Sequence, residues 1–423
     1  MFKNINKVFS SFLFLTLLGL ILSLCINVFI VCSNYLISCS LTLYNRKDFP
    51  SIFLLIFLAI ISFFFLKYCV NPHKDLDASG IVELEREIHQ KLNVPHFIEI
   101  PLLYLSSFIT FFFGFPLGSE GPSVTLGGKL SALLSDSFSS LNDIKEENIS
   151  LGAAMGFEAA FLSPLSGLFY LFECIDHKFS FRSLIKAFYL SLVIFFSSLL
   201  LNRKPLIIFS NVSLPSFKEC LIIPFIFVIC FILAVLFKYI YFHLNKFFKT
   251  YENNWLVKNR TIFFLIFIVV FNLFFSSLMY SGHSLIYRLS SYSLFALAAI
   301  FVLRFFSSLL FSSGKLTGGI VIPTMCLGAI VGQVSILIFN KYFSFSIDDN
   351  SFIILFSMIL MFSLINKAPF TASSLFLFSL IYKNRNIHFW DISVLICILF
   401  FFLGNLIFNL IKQKDLIDEM LTI

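Results

Sequence analysis

Gly118-Ser119-Glu120-Gly121-Pro122-Ser123-Val124-Thr125-Leu126-Gly127-Gly128 and Gly319-Ile320-Val321-Ile322-Pro323-Thr324-Met325-Cys326-Leu327-Gly328-Ala329 share the pattern Pro-x-x-x-Leu-Gly-small, with Pro122 and Pro323 standing 201 positions apart. A second pair follows at nearly the same offset. Phe161-Leu162-Ser163-Pro164-Leu165-Ser166-Gly167 resembles Asn366-Lys367-Ala368-Pro369-Phe370-Thr371-Ala372, and their prolines are 205 apart. Two matches at one offset indicate an internal repeat, with expected halves of 1–205 and 215–423, as in transporters whose site lies where broken helices of two halves meet. Proline is favoured in a first helical turn and glycine permits the bend before it, so each cluster is expected to start a helix inside the membrane. The exposed N–H groups of two such half-helices are natural anion ligands. The competing reading, surface turns between ordinary spans, is opposed by the scarcity of solvating residues around Gly121-Pro122.

The surroundings of these stretches are apolar. The chain's 423 residues are 59% hydrophobic and 13% charged, with a mean hydropathy of +0.95. A span needs about 20 mostly apolar residues, and the candidates are 8–36, 51–70, 97–117, 186–201, 219–243, 261–280, 290–312, 352–366 and 388–411. The period-2 alternation of barrel strands is absent, so the sequence predicts an all-α, polytopic protein of the lipid bilayer. Run 8–36 follows Lys3 and Lys7 as a signal peptide would. It is too long, lacks a small-residue cleavage site and leads into further spans, so it reads as the first membrane helix.

The net charge of +7 sits mostly in the loops around Lys3, Lys7, Lys67, Lys74, Lys246, Lys249, Lys258 and Arg260, which the positive-inside rule places in the cytoplasm. The expected location is the cell (inner) membrane. No basic patch is interleaved with aromatics in a soluble segment, which argues against a nucleic-acid partner. The nine cysteines form no Cys-x-x-Cys pair, so neither a metal site nor a disulfide framework is expected. The 61 phenylalanines stand where leucine would serve and carry no functional weight.

Glu120 is a lone carboxylate between glycines in an uncharged apolar run. An ionised acid at mid-bilayer costs roughly 3 kcal/mol or more, which makes it a functional-site residue by default. Placed where half-helix termini attract anions, it competes with them when charged and cannot when neutral. Gate and proton acceptor are then one group.

Three motifs in order give the chain a resemblance, over nearly its whole length, to the CLC family of chloride channels and proton-coupled chloride exchangers. The family's Gly-Ser-Gly-Ile-Pro followed by Glu is matched by Ala78-Ser79-Gly80-Ile81-Val82-Glu83, its Gly-(Lys/Arg)-Glu-Gly-Pro by Gly118-Ser119-Glu120-Gly121-Pro122, and its Gly-x-Phe-x-Pro by Gly319-Ile320-Val321-Ile322-Pro323. The resemblance implies a CLC-type inverted repeat with broken intramembrane helices. It also implies a homodimer with a separate pathway in each subunit, chloride as the anion, protons as the partner ion of exchangers, no cofactor, and the short form without the cytoplasmic pair of regulatory domains. Ser79 and Gly80 would then meet the anion with a hydroxyl and backbone, and Ile320 and Val321 with backbone N–H groups. Glu120 would be the external gate. Ser79 reads equally as a helix N-cap, and the two roles coexist. Partial charges rather than a full cation suit an ion that must be released.

Departures from the family pattern shape the expected mechanism. Cys174 occupies the position of the exchangers' internal relay glutamate, with Glu173 beside it, and a thiol is a poorer relay than a carboxyl at neutral pH. Phe408 takes the place of the central tyrosine, which keeps a steric constriction and loses one donor. Ser119 replaces the basic residue and Val82 the proline. Glu158 stands in the helical run 151–162 where the family has a small residue; it reads as a proton carrier, as a partner for a buried polar group, or as facing a water-filled vestibule. The expected function is chloride transport gated by Glu120, passive or weakly proton-coupled, with proton-coupled antiport as the alternative. Ser79 disfavours the fluoride- and nitrate-selective branches. From another class, Ser163, Ser166-Gly167 and His177 raise an intramembrane hydrolase, which the absence of a Gly-x-Ser-x-Gly elbow opposes. A cation carrier built on Glu120 conflicts with the half-helix N-termini. The chain is not expected to be an enzyme.

Overall fold

A computed structural model of the chain describes residues 2–70, 96–138, 144–176, 180–209, 212, 214–215, 220–275, 280–314, 316–343, 351–382 and 391–412. Helices account for nearly all of the regular structure among them. In chain order they are α1 (Phe2–Arg46), α2 (Phe49–Phe65), α3 (His96–Phe113), α4 (Glu120–Ser137), α5 (Lys145–Phe161), α6 (Ser166–Tyr170), α7 (Phe181–Leu200) and α8 (Ile222–Thr250). They continue as α9 (Trp255–Lys258), α10 (Arg260–Phe275), α11 (His283–Ile286), α12 (Leu294–Ser312), α13 (Val321–Phe343), α14 (Ser351–Asn366), α15 (Pro369–Ile381) and α16 (Ile392–Lys412). Seven of the described helices are long and apolar enough to cross a membrane. The first runs past the expected 8–36, as one helix of 45 residues.

Two compact units emerge. The first comprises Met1–Phe113, Ser119–Leu206 and Leu316–Gly319; the second comprises Gly114–Gly118, Ile207–Lys315 and Ile320–Ile423.

In the first unit, α4 and α5 are buried along almost their whole length. Glycines set their separation. A Cβ on Gly127 would stand 2.1 Å from the Gly152 carbonyl oxygen, and one on Gly156 would stand 2.2 Å from that of Ser123. Backbone therefore touches backbone, the close approach that only a missing side chain allows. Helix α5 ends at Leu162, whose φ of 52° is left-handed, a conformation usually left to glycine. Arg203 donates from Nη1 to the Ala159 carbonyl and from Nη2 to that of Ala160, the latter at 2.6 Å, and so caps the carbonyls that the last turn leaves over. A buried ion pair of Lys129 on α4 with Glu99 on α3 completes this core. The short segment before α13 is pinned in the same unit by a 2.9 Å bond between the Thr317 and Ser106 hydroxyls.

The second unit repeats the plan. A Cβ on Gly328 of α13 would stand 2.3 Å from the Ser357 carbonyl oxygen of α14, and one on Gly332 would stand 2.2 Å from Ser357 Oγ. The residue after α14, Lys367, has φ 54°. It lies 205 positions after Leu162, the offset of the paired prolines. The segment 114–118 is held by the Tyr280 amide donating to the Gly114 carbonyl at 3.0 Å and by an edge-to-face contact of Phe115 with Phe311 at 4.9 Å. Gly114 has φ 76°, and a Cβ there would meet Asn272 Nδ2 at 2.7 Å, so both conformation and space require glycine.

Candidate functional site

The paired Gly-Pro stretches do start helices. Glu120 is the first residue of α4 and Val321 the first of α13, which puts Pro122 and Pro323 each at the third helical position. There a missing N–H breaks no helical bond. The first turn closes alike in both: the Ser123 amide donates to the Ser119 carbonyl at 3.0 Å, and the Thr324 amide to that of Ile320 at 2.9 Å. Ser119 supplies no side-chain cap to α4. The N-terminal amides of a helix so built carry about half a positive charge between them, aimed outward along its axis.

Glu120 is 1% exposed. A Cβ on Gly319 would lie 2.6 Å from the Gly121 amide nitrogen and 2.8 Å from Glu120 Oε1, so the backbone of Gly319 lies directly against the carboxyl and the helix start. The glycine of the third motif thus packs on the acid of the second. Ile320, half-buried, and Val321, 8% exposed, open α13 in the second unit. Ser79 and Gly80 lie outside the described residues.

Glu158, also 1% exposed, is another acid sealed inside the first unit. Its Oε1 accepts from Ser191 Oγ of α7 at 2.8 Å. Its Oε2 is buried against the backbone of Gly167, with no hydrogen bond of ordinary geometry to satisfy it. Glu173 and Cys174 are half-buried in a π-helical turn, Leu171–Ile175, that continues α6. A π turn widens the helix by one residue and rotates what it carries, and such turns cluster at functional sites. Of the hydrolase candidates, Ser166 Oγ donates to the Ser163 carbonyl at 2.7 Å, which engages it locally. His177 lies outside the described residues.

Phe408 on α16 is 3% exposed and packs on Phe231 of α8 with ring centroids 4.8 Å apart. Lys238, two turns further along α8, lays Nζ over the same ring at 4.3 Å from its centroid. That amine is buried and makes no hydrogen bond. A desolvated cation–π contact returns roughly 2 kcal/mol, less than the several kcal/mol that taking an ammonium out of water costs.

Lys238, Lys129 and Glu99 escaped the reading of the sequence. Each is a lone charge in an apolar run, the signal that singled out Glu120.

The family model described as "Voltage gated chloride channel" matches residues 53–398. A relative from Vibrio cholerae serotype O1, "H(+)/Cl(-) exchange transporter ClcA", is 26% identical over 330 residues, which are 74% of this chain and 68% of that protein. Among solved structures, a slow cyanobacterial Cl-/H+ antiporter superposes with a TM-score of 0.81 at 17% identity, over 96% of this chain and 99% of that one. A CLC-type fluoride/proton antiporter follows with a TM-score of 0.73 at 18% identity, over 94% and 96% of the two chains. At such identities the structural likeness speaks to the fold. The family match over most of the chain decides membership, and with the paired half-helices and the seven long apolar helices it makes this multi-pass membrane protein a member of the voltage gated chloride channel family.

Proposed function

We propose that this chain moves chloride across the cell membrane in exchange for protons, with Glu120 as both gate and proton acceptor. The observation that carries the proposal is the burial of Glu120 at an uncapped half-helix N-terminus, under the backbone of Gly319. A carboxylate there occupies a position built for an anion. Protonation removes its charge and its claim on the N–H groups, so proton uptake and anion entry become one event. The backbone N–H groups of Ile320 and Val321 serve as further anion ligands, with Ser79 and Gly80 as the expected hydroxyl and backbone contacts. Phe408 is the inner constriction. The onward proton route runs through Glu158, whose second oxygen is unsatisfied in the same unit, with Glu173 and Cys174 on the π turn as its inner members.

Exchange is favoured by the name of the Vibrio cholerae relative, an H(+)/Cl(-) exchange transporter. A second reading, passive chloride flux gated by Glu120, is favoured by Cys174 standing where a carboxyl relay is expected. The resemblance extends both readings to a homodimer in the inner membrane.

Purified protein in chloride-loaded liposomes separates them. Under a chloride gradient, exchange predicts uphill proton movement in the wild type and none in Glu120→Gln. Chloride flux without protons would establish passive flux with Glu120 as gate, and no anion flux from folded protein would overturn both.

A further inference from the structure

Helix α8 presents one exposed stripe at helical spacing, formed by Val228, Ile232, Leu236, Tyr239, His243 and Lys246. It is apolar as far as Tyr239 and polar beyond. From Tyr239 to Lys246 the helix advances about 10 Å, enough to pass from the edge of the hydrocarbon into the headgroup layer. The face that meets acyl chains along α8 therefore meets headgroups at its end.

The turn that follows is firmly built. Arg260, itself buried, donates from Nη1 to the Val257 carbonyl at 3.1 Å and lays its guanidinium over the Phe248 ring at 4.8 Å from the centroid. The Asn254 side chain accepts from the Leu256 amide at 2.9 Å and caps α9. Val257 is buried, whereas Trp255 and Leu256 stand outward at 67% and 56% exposure. The rings of Phe247 and Tyr251, also exposed, pack with centroids 4.9 Å apart. Large apolar side chains held outward together mark a surface that something covers. Lys246, Lys249 and Lys258 are exposed among them, and against these three lysines the turn has one acid, Glu252.

Position and charge together identify the occupant. The patch continues the bilayer-facing stripe of α8, so the bilayer reaches it. Rings with a polar edge and lysines with long apolar stems settle at a membrane interface, with their bodies in the apolar layer and their heads in water. The excess of positive charge favours a headgroup of net negative charge over a zwitterionic one. We infer that the turn joining α8 to α10, residues 246–260, binds anionic phospholipid headgroups. Trp255 and Leu256 sit in the bilayer interface, and Lys246, Lys249 and Lys258 pair with headgroup phosphates. None of these residues belongs to the proposed chloride or proton path, so the lipid surface stands whether or not the chain exchanges protons.

Trp255 is one of two tryptophans in the chain, the other being Trp390, and it reports on the surface directly. The test reconstitutes the full chain carrying Trp390→Phe in phosphatidylcholine bilayers and titrates in dibrominated phosphatidylglycerol or dibrominated phosphatidylcholine as quencher. Both lipids are expected to quench Trp255, the anionic one with a relative affinity about fivefold higher or more, the effect of one lysine near an anionic surface. Lys246→Gln, Lys249→Gln and Lys258→Gln together should bring the two lipids to parity while phosphatidylcholine still quenches. Should that variant fail to fold, 1 M salt takes its place, since it screens exposed charges within about 3 Å and should cut the preference below about twofold. If Trp390→Phe fails to fold, the difference between wild type and Trp255→Phe isolates the same emission. Equal quenching by the two lipids with the lysines in place overturns the inference. Quenching by neither puts Trp255 out of reach of lipid, covered by protein such as a second copy of the chain, and overturns it as well.

Discussion

In the first unit α4 begins at Glu120 and carries Lys129 in its third turn, whereas in the second α13 begins at Val321 and has Ile330 at the matching place. Glycines, prolines and left-handed helix ends recur at equivalent positions in the two: Gly127 and Gly328, Pro122 and Pro323, Leu162 and Lys367. Charges do not recur. Helix α14 is buried from Phe352 to Ile365 without a single ionisable side chain, whereas α5 holds Glu158 among equally buried neighbours. Backbone geometry is what the repeat needs to fold, and it is shared. Buried charge is costly wherever it sits, so its presence in α4 and α5 and its absence from the matching place in α13 and from α14 separate what these helix pairs require as scaffold from what the chemistry requires.

Removing the charge asymmetry one member at a time should have the largest effect. Lys129→Met takes the cation from Glu99, which is buried at 1% exposure, and loss of one partner of a buried pair costs about 3–5 kcal/mol. Replacing both, Lys129→Ile with Glu99→Leu, copies the apolar solution of α13 and should restore wild-type stability or exceed it. Thermal unfolding in detergent measures both. A double variant as unstable as the single would show that the pair does more than neutralise itself.

Next come the shared glycines. Gly127→Val and Gly328→Val each drive a branched side chain into a carbonyl oxygen, at 2.1 Å and 2.3 Å for the Cβ alone. Each should cost about 3 kcal/mol or more, because backbone cannot yield as a side chain end does. Equal loss of monodisperse protein in the two variants would support the equivalence of the halves. Tolerance in one half only would break it.

Much of this was legible in the residues. Pro-x-x-x-Leu-Gly-small located both half-helix starts because proline and glycine act locally, through φ and through a missing Cβ. Helix α1 outruns the apolar span 8–36, because the polar residues of 37–46 do not stop a helix that tertiary packing prolongs. The ion pair of Lys129 with Glu99 was invisible for a different reason. Thirty positions separate the partners, and only packing of α3 on α4 brings them together. Glu158 drew notice as an oddity, yet its partner Ser191 lies on α7, 33 positions on, and no periodicity links the two.

A smaller effect should follow at the end of α5. Arg203 satisfies the carbonyls of Ala159 and Ala160 from outside the helix. Burial draws its guanidinium down to about 10, which leaves it charged at neutral pH. Arg203→Met strands those two acceptors and should cost about 2 kcal/mol, the scale of buried groups left unpaired. Lys at the same position should recover part of the loss, since a single ammonium cannot reach both oxygens with a fork.

The smallest change in stability, and the most informative about the asymmetry, belongs to Glu158→Gln. It makes the buried run of α5, Asn148–Phe161, as free of charge as α14 while keeping shape, and the amide oxygen can still accept from Ser191 Oγ. The new N–H₂ group takes the place of an oxygen that makes no hydrogen bond of ordinary geometry and lies against the Gly167 backbone. Stability should therefore move by less than about 1 kcal/mol, as for a substitution that opens no cavity and strands no charge. Transport should not be so indifferent. An amide cannot take up and release a proton, so coupled proton movement in liposomes should fall while chloride flux persists. Unchanged proton-to-chloride stoichiometry would remove Glu158 from the route and leave the π turn with Glu173 and Cys174 to carry it. The first half's buried charge would then be part scaffold after all, and the contrast with α14 would narrow to Glu120.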